Sequence, residues 1–139
     1  MDNIFEQPLD ISVNKNNGAI PSFICIIEGW KTKIKNLHWS AHRMNTHKLL
    51  DEIAGFTSGY QDSLAEDYMG INGAFPSDFL KGVPSNCNDM RELLKEMLDK
   101  TKMFYGKIPS GNTYSGIASE TETFIHNINK YIYLSNLCD

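Results

Sequence analysis

The sequence predicts an all-α chain, and three observations carry that expectation. Four amphipathic segments of roughly 18 to 26 residues place apolar side chains at helical spacing. No stretch has the polar-apolar alternation of a half-buried strand. One long connection separates the second segment from the third, and together these features give a four-helix bundle.

Residues 1–20 mix Asn, Gly, Asp and scattered apolar side chains without sustained periodicity, and are read as an irregular N-terminal arm. Residues 21–139 are read as one bundle domain. The arm is not a basic tail, because Lys15 is its one cation and Asp2, Glu6 and Asp10 oppose it. Its Ile4, Phe5, Leu9 and Ile11 could pack on a neighbouring subunit. Pro21 is placed to open the first helix, and Phe23, Ile27, Trp30, Ile34 and Leu37 carry its stripe to about Trp39.

Asn45 or Thr46 is the expected cap of the second helix, with His47 in its first turn and the apolar pattern running to about Tyr68. Leu49, Ile53, Phe56, Tyr60, Leu64 and Ile71 fall within about 80° on a helical wheel, a core-facing stripe. Within the turn-rich stretch that follows, Ser77-Asp78-Phe79-Leu80 predicts a short helical turn. Asn86 or Asn88 is the expected cap of the third helix, whose stripe is Met90, Leu93, Leu94, Met97, Thr101 and Phe104. Residues 108–112 break the chain. The fourth helix is expected over residues 115–137, with Ile117, Phe124, Ile128, Tyr131 and Ser135 on one side.

With 139 residues the chain is long enough for one substantial core. A net charge of -4 and a pI near 5.5 argue against non-specific nucleic-acid binding through a basic surface. Neither a long apolar run nor a signal-like opening is present, so a soluble cytoplasmic protein, not a membrane one, is expected. Cys25, Cys87 and Cys138 fit no CxxC spacing, and reduced thiols are the expectation. Phosphate-loop, dinucleotide, HExxH and Ser-His-Asp patterns are absent from the sequence.

The second helix has another face. His47, Asp51, Ala54, Gly55, Ser58, Asp62, Ala65 and Glu66 share an arc of roughly 120°, so metal-ligand types alternate with the smallest side chains. A solvated face is normally rich in Lys, Glu and Arg, so this one reads as a second packing surface. His47 and Asp62 are ~22 Å apart along a helix, too far to share one ion. An antiparallel two-fold copy crossing near Gly55 would bring His47 of each chain beside Asp62 and Glu66 of the other. The geometry therefore points to a metal site shared by two copies.

These residues carry a family resemblance. Leu37-His38-Trp39, then His47 and Asp51, then Asp62, Ala65 and Glu66, resemble the pattern of the Dps-like miniferritins. The intervals from His47 to Asp62 and from Asp62 to Glu66 match that pattern without gaps. The His38-to-His47 interval of 9 is about three shorter than usual, and Asp67 stands where the family commonly has Arg. The run over residues 129–134 resembles the end of the family's last helix.

The resemblance implies a ferritin-like bundle and a ferroxidase centre of His38, His47, Asp62 and Glu66 built across a two-fold dimer. It further implies a hollow shell of about twelve subunits and a small helix in the long connection. Two imidazoles with two or three carboxylates suit Fe(II), with Zn(II), Mn(II) or Co(II) as competitors. Peroxide or dioxygen would take the electrons, and Asp51 would bind a second iron or orient His47. Glu120 is an approximate counterpart of the acids that line the family's iron pore. Glu122 and His126, four apart, read as a solvated surface pair. One alternative is a non-enzymatic structural or interaction protein, with His47, Asp62 and Glu66 hydrogen-bonded across a polar seam. DNA compaction, the other, is opposed by the acidic balance.

Overall fold

The computed structural model describes residues 18–138. Four long helices carry the chain: α1 (Ala19–Ser40), α2 (Met44–Asn72), α3 (Met90–Tyr105) and α4 (Ser115–Ser135), the last entered through a 3-10 turn at Asn112–Tyr114. No strand occurs among the described residues, and the all-α expectation holds. The arm assigned to residues 1–20 lies outside the described residues up to residue 17. Ala19 and Ile20 already belong to α1, and Ile20 is fully buried.

Each helix runs antiparallel to two neighbours, in the cyclic order α1, α2, α4, α3. Phe23 stacks on Phe104 and the Trp30 indole donates to Glu96, which sets α1 against α3. The Gln61 amide donates to the Ile24 carbonyl and to Glu28, and Lys31 donates to Gln61, which sets α1 against α2. Tyr60 meets Thr121 and Tyr131 reaches Glu52 across the α2/α4 seam. Arg91 donates to the Ser135 carbonyl and Tyr105 to Glu122 across α3/α4. The enclosed core is dominated by Trp30, Phe23, Phe104, Phe124, Leu50, Ile53, Leu64, Met97 and Ile128. Each such side chain contributes about 1.5–3 kcal/mol by leaving water.

This order makes α2 and α3 parallel, so residues 73–89 must travel the length of the molecule. The 29 residues of α2 extend about 43 Å. An extended chain advances about 3.3 Å per residue against 1.5 Å in a helix. The turn expected at Ser77-Asp78-Phe79-Leu80 is present, with the Phe79 amide donating to the Pro76 carbonyl, but the short extra helix is a correction: the rest of the connection takes no regular secondary structure. Helix there would shorten a connection that needs its reach.

The connection is pinned along its course. Phe75 stacks on Tyr68 and Phe79 on Phe75. The Val83 amide donates 3.0 Å to the Cys25 carbonyl of α1. A Cβ on Gly29 would sit 1.6 Å from the Val83 carbonyl oxygen, so only glycine admits the strap there. At the far end the Cys87 thiol donates to Glu96, the carboxylate that also holds Trp30.

Several boundaries need correction. α2 begins at Met44 without a side-chain cap at Arg43, because residues 41–43 turn the chain so tightly that Asn45 and Thr46 already lie inside the helix. It runs on to Asn72 and stops at Gly73, whose φ of 96° is a glycine conformation. Ile71 is 40% exposed and leaves the core stripe, while Asn72 beside it still donates to the Tyr114 hydroxyl. α3 is capped by Asp89, which accepts from the Glu92 amide, while Glu92 accepts from Asn88. That reciprocal arrangement displaces the expected Asn caps. α4 ends at Ser135, with the last residues in turns.

Candidate metal centre

The tight turn over residues 41–43 places the last turn of α1 against the first turn of α2. His38 and His47 face each other there, with ring centroids 3.9 Å apart and planes at 25°. Each ring bonds the other residue's backbone: His38 Nδ1 to the His47 carbonyl at 3.1 Å, and His47 Nδ1 to the His38 carbonyl at 3.1 Å. A carbonyl oxygen only accepts, so both Nδ1 atoms carry the proton. In the neutral imidazole this leaves the lone pair on Nε2. Neither Nε2 has a hydrogen-bond partner among the described residues. At the end of α1 the His38 carbonyl takes the Ala41 amide, and the His47 ring is its second donor.

Beside the pair, an open groove of about 730 Å³ is lined by His38, Trp39, Asp51, Ala54, Ser58, Lys31 and Lys35. Asp51, one turn past His47, is exposed. Trp39 is 71% exposed, with the Lys35 ammonium 5.9 Å from its ring centre. Along the same face a Cβ on Gly55 or Gly59 would meet nothing within 4 Å among the described residues. Asp62 and Glu66 continue the face, one turn apart and both exposed.

The structure thus brings His38 and His47 together and sets Asp51 at the same groove, while Asp62 and Glu66 lie farther down α2. Among the described residues, no three His, Cys, Asp or Glu side chains stand close enough to hold one metal ion. The imidazoles fit a metal in tautomer and free lone pair, and the carboxylates that would complete a set are not beside them in a single chain. His42 lies exposed in the turn, and Glu122 and His126 are both exposed on α4, Glu122 accepting from Tyr105.

A second group of polar side chains sits between α2 and α4. Tyr60 is buried, and its phenol is raised by that burial; its hydroxyl meets Thr121 Oγ1 at 2.7 Å. Thr121 in turn donates to the Ile117 carbonyl, so Tyr60 must be the donor to Thr121. Glu120 beside them is raised to about 7, first by burial and then by the Asp67 carboxylate next to it. Its Oε1 is buried without a hydrogen-bond partner among the described residues. Nothing in the local sequence pairs Asp67 with Glu120; the contact exists only once α2 and α4 pack antiparallel.

The three thiols are free: Cys25 is buried and Cys87 and Cys138 are partly buried. Burial raises the Cys25 and Cys87 thiols. No helix among the described residues is long and apolar enough to cross a membrane. Comparison with protein-family models, curated proteins and solved structures returns no match for this chain.

Proposed function

We propose that the chain is a Dps-like miniferritin, a ferritin-like bundle that oxidises Fe(II) with peroxide or dioxygen and stores the ferric product within a hollow oligomer. The observation that carries this reading is the reciprocal His38–His47 pair, in which each backbone carbonyl fixes the partner ring with its metal-binding nitrogen free. The cyclic helix order with one long crossover between α2 and α3 supports the ferritin-like topology. The bare glycines, the exposed Trp39 and the exposed acids of α2 support a second copy on that face.

In this reading Fe(II) is the substrate. His38 and His47 of one copy supply nitrogen, and Asp62 and Glu66 of its two-fold mate supply the negative charge that favours Fe(III). Asp51 takes a second ion or steadies His47. Each Fe(II) gives one electron to the oxidant, which limits peroxide damage. Assembly as two-fold dimers in a shell of about twelve subunits, in the cytoplasm, follows from the same reading, and DNA has no basic arm to bind.

Replacing Asp62 and Glu66 together by Ala tests the site. Both are exposed on the single chain, so helical content by circular dichroism is expected to stay while rapid Fe(II) oxidation disappears. Unchanged oxidation kinetics would refute the assignment.

A second reading is favoured by one observation. Each histidine of the pair is hydrogen-bonded to the backbone of the other's helix, so the pair also serves as a clasp between α1 and α2. A non-enzymatic structural or interaction protein would need no more, and it would leave Fe(II) oxidising at the buffer rate.

A further inference from the structure

The exposed face of α2 has a charge order of its own. Lys48, Gly55 and Asp62 stand seven residues apart, two helical turns each, so they lie in one line along the helix. Glu52, Gly59 and Glu66 repeat that interval one turn on. All six are exposed, while Leu50, Ile53, Thr57 and Leu64 are buried on the opposite side.

Among the described residues neither the Lys48 ammonium nor the Asp62 carboxylate has a hydrogen-bond or ion-pair partner. Other charges nearby are engaged: Glu52 accepts from Tyr131 of α4, and Lys31 of α1 pairs with Glu28 and donates to Gln61. The line through Lys48, Gly55 and Asp62 is therefore basic at one end, acidic at the other and without a side chain in the middle.

Such a line complements itself in one orientation only. Two copies crossing antiparallel at Gly55 set residues equally far before and after the glycine opposite one another. Lys48 of each copy then faces Asp62 of the other, ~10 Å to either side of the crossing. A parallel pair would set lysine on lysine and aspartate on aspartate. Close approach is open at the middle, because a Cβ on Gly55 or Gly59 would meet nothing within 4 Å among the described residues.

We propose that this line is a self-docking surface whose partner is a second copy of the chain, and that two Lys48–Asp62 pairs, one at each end of the seam, set its antiparallel orientation. The inference deepens the reading of a metal site shared by two copies and rests on it. Lys48 belongs to no metal set, and its role is to orient the mate. Asp62 has two oxygens, so one meets the ammonium while the other stays open to an ion. Like charges facing one another across an interface are strongly opposed, so the lysine acts more against wrong pairings than in favour of the right one.

The test is complementation between two charge reversals. Lys48→Asp and Asp62→Lys, both at exposed positions, are expected to keep the parent's helical content by circular dichroism. Each alone is expected to lose self-association, its dissociation constant in sedimentation velocity rising by about tenfold or more. Mixed in equal amounts, the two are expected to associate as the parent does, because every reversed residue then meets an opposite charge. Self-association of Lys48→Asp as tight as the parent's, or a mixture no larger than its components, would overturn the pairing and leave the shared metal site standing. A parent that sediments as a single chain would overturn both. Complementation by the mixture, beside buffer-rate Fe(II) oxidation by an associated parent, would uphold the seam and refute the metal site.

Discussion

His38 and His47 illustrate how two side chains can be fixed by the ends of the helices that carry them. The His38 carbonyl at the end of α1 accepts from both the Ala41 amide and the His47 ring, while the His38 ring returns the same bond to α2. Each bond is worth about 1 kcal/mol net, and each also dictates the tautomer. His38→Ala removes one ring and leaves its partner's Nδ1 bond possible. It is expected to lower stability by about 1 kcal/mol in urea unfolding and to abolish the absorption of Co(II) bound as a spectroscopic stand-in for Fe(II). Full retention of the Co(II) spectrum would remove His38 from the site. The short interval between these histidines has a structural explanation: the turn over residues 41–43 is so tight that fewer residues suffice to bring the rings together.

At the scale of elements, the connection from α2 to α3 is as informative as the helices. Its extended course along α1 depends on Gly29, where any side chain would collide with the Val83 carbonyl. Gly29→Ala is expected to displace the strap, break the Val83–Cys25 bond and cost about 2 kcal/mol or more, read as a lower urea midpoint. A helix-favouring gain at that position would contradict the strap's role. The α2/α4 seam gives a second prediction. Glu120 titrates at about 7 when folded against an ordinary 4.5, so the folded protein binds the extra proton between those values. Stability should therefore fall as pH rises from about 4.5 to about 7. Glu120→Gln should flatten that slope and gain about 1 kcal/mol near pH 8, a figure discounted for the partial exposure of the group. An unchanged pH dependence of the thermal midpoint would show that neither burial nor Asp67 raises Glu120. The helices themselves were legible in the sequence, because stripes such as Leu49, Ile53, Tyr60 and Leu64 repeat at one period. The connection was not. Ser77-Asp78-Phe79-Leu80 has the composition of a helical turn and holds a single one, and only the parallel arrangement of α2 and α3 explains why it grows no longer. Gly29 gave no signal either, since its neighbour Val83 is far along the chain. Of the candidate site, the face of α2 was legible from residue spacing, whereas the reciprocal histidine bonds and the Asp67–Glu120 contact arise from packing between helices.

At the scale of the whole molecule, α2 has one face in the core and another that the described residues leave open. Phe56, Tyr60 and Leu64 pack inward, while Ala54, Gly55, Ser58, Gly59, Asp62 and Glu66 form a small-residue face with acids beyond it. The proposed chemistry requires that second face, because the imidazoles and the acids are too far apart on one helix to share an ion. Gly55→Leu separates fold from assembly. Among the described residues nothing lies within 4 Å of a Cβ there, and leaving glycine favours the helix by about 1 kcal/mol. The variant should fold at least as stably as the parent yet fail to admit a second copy. The most direct measurement is Fe(II) oxidation by peroxide, followed by absorbance on size-exclusion fractions of the parent protein and of Gly55→Leu. The account predicts rapid oxidation to a soluble ferric protein in a large parent assembly, and the buffer rate in a smaller, fully helical Gly55→Leu species. Oxidation at the buffer rate by the parent, or undiminished oxidation by a single-chain Gly55→Leu protein, would contradict a metal site shared between two copies.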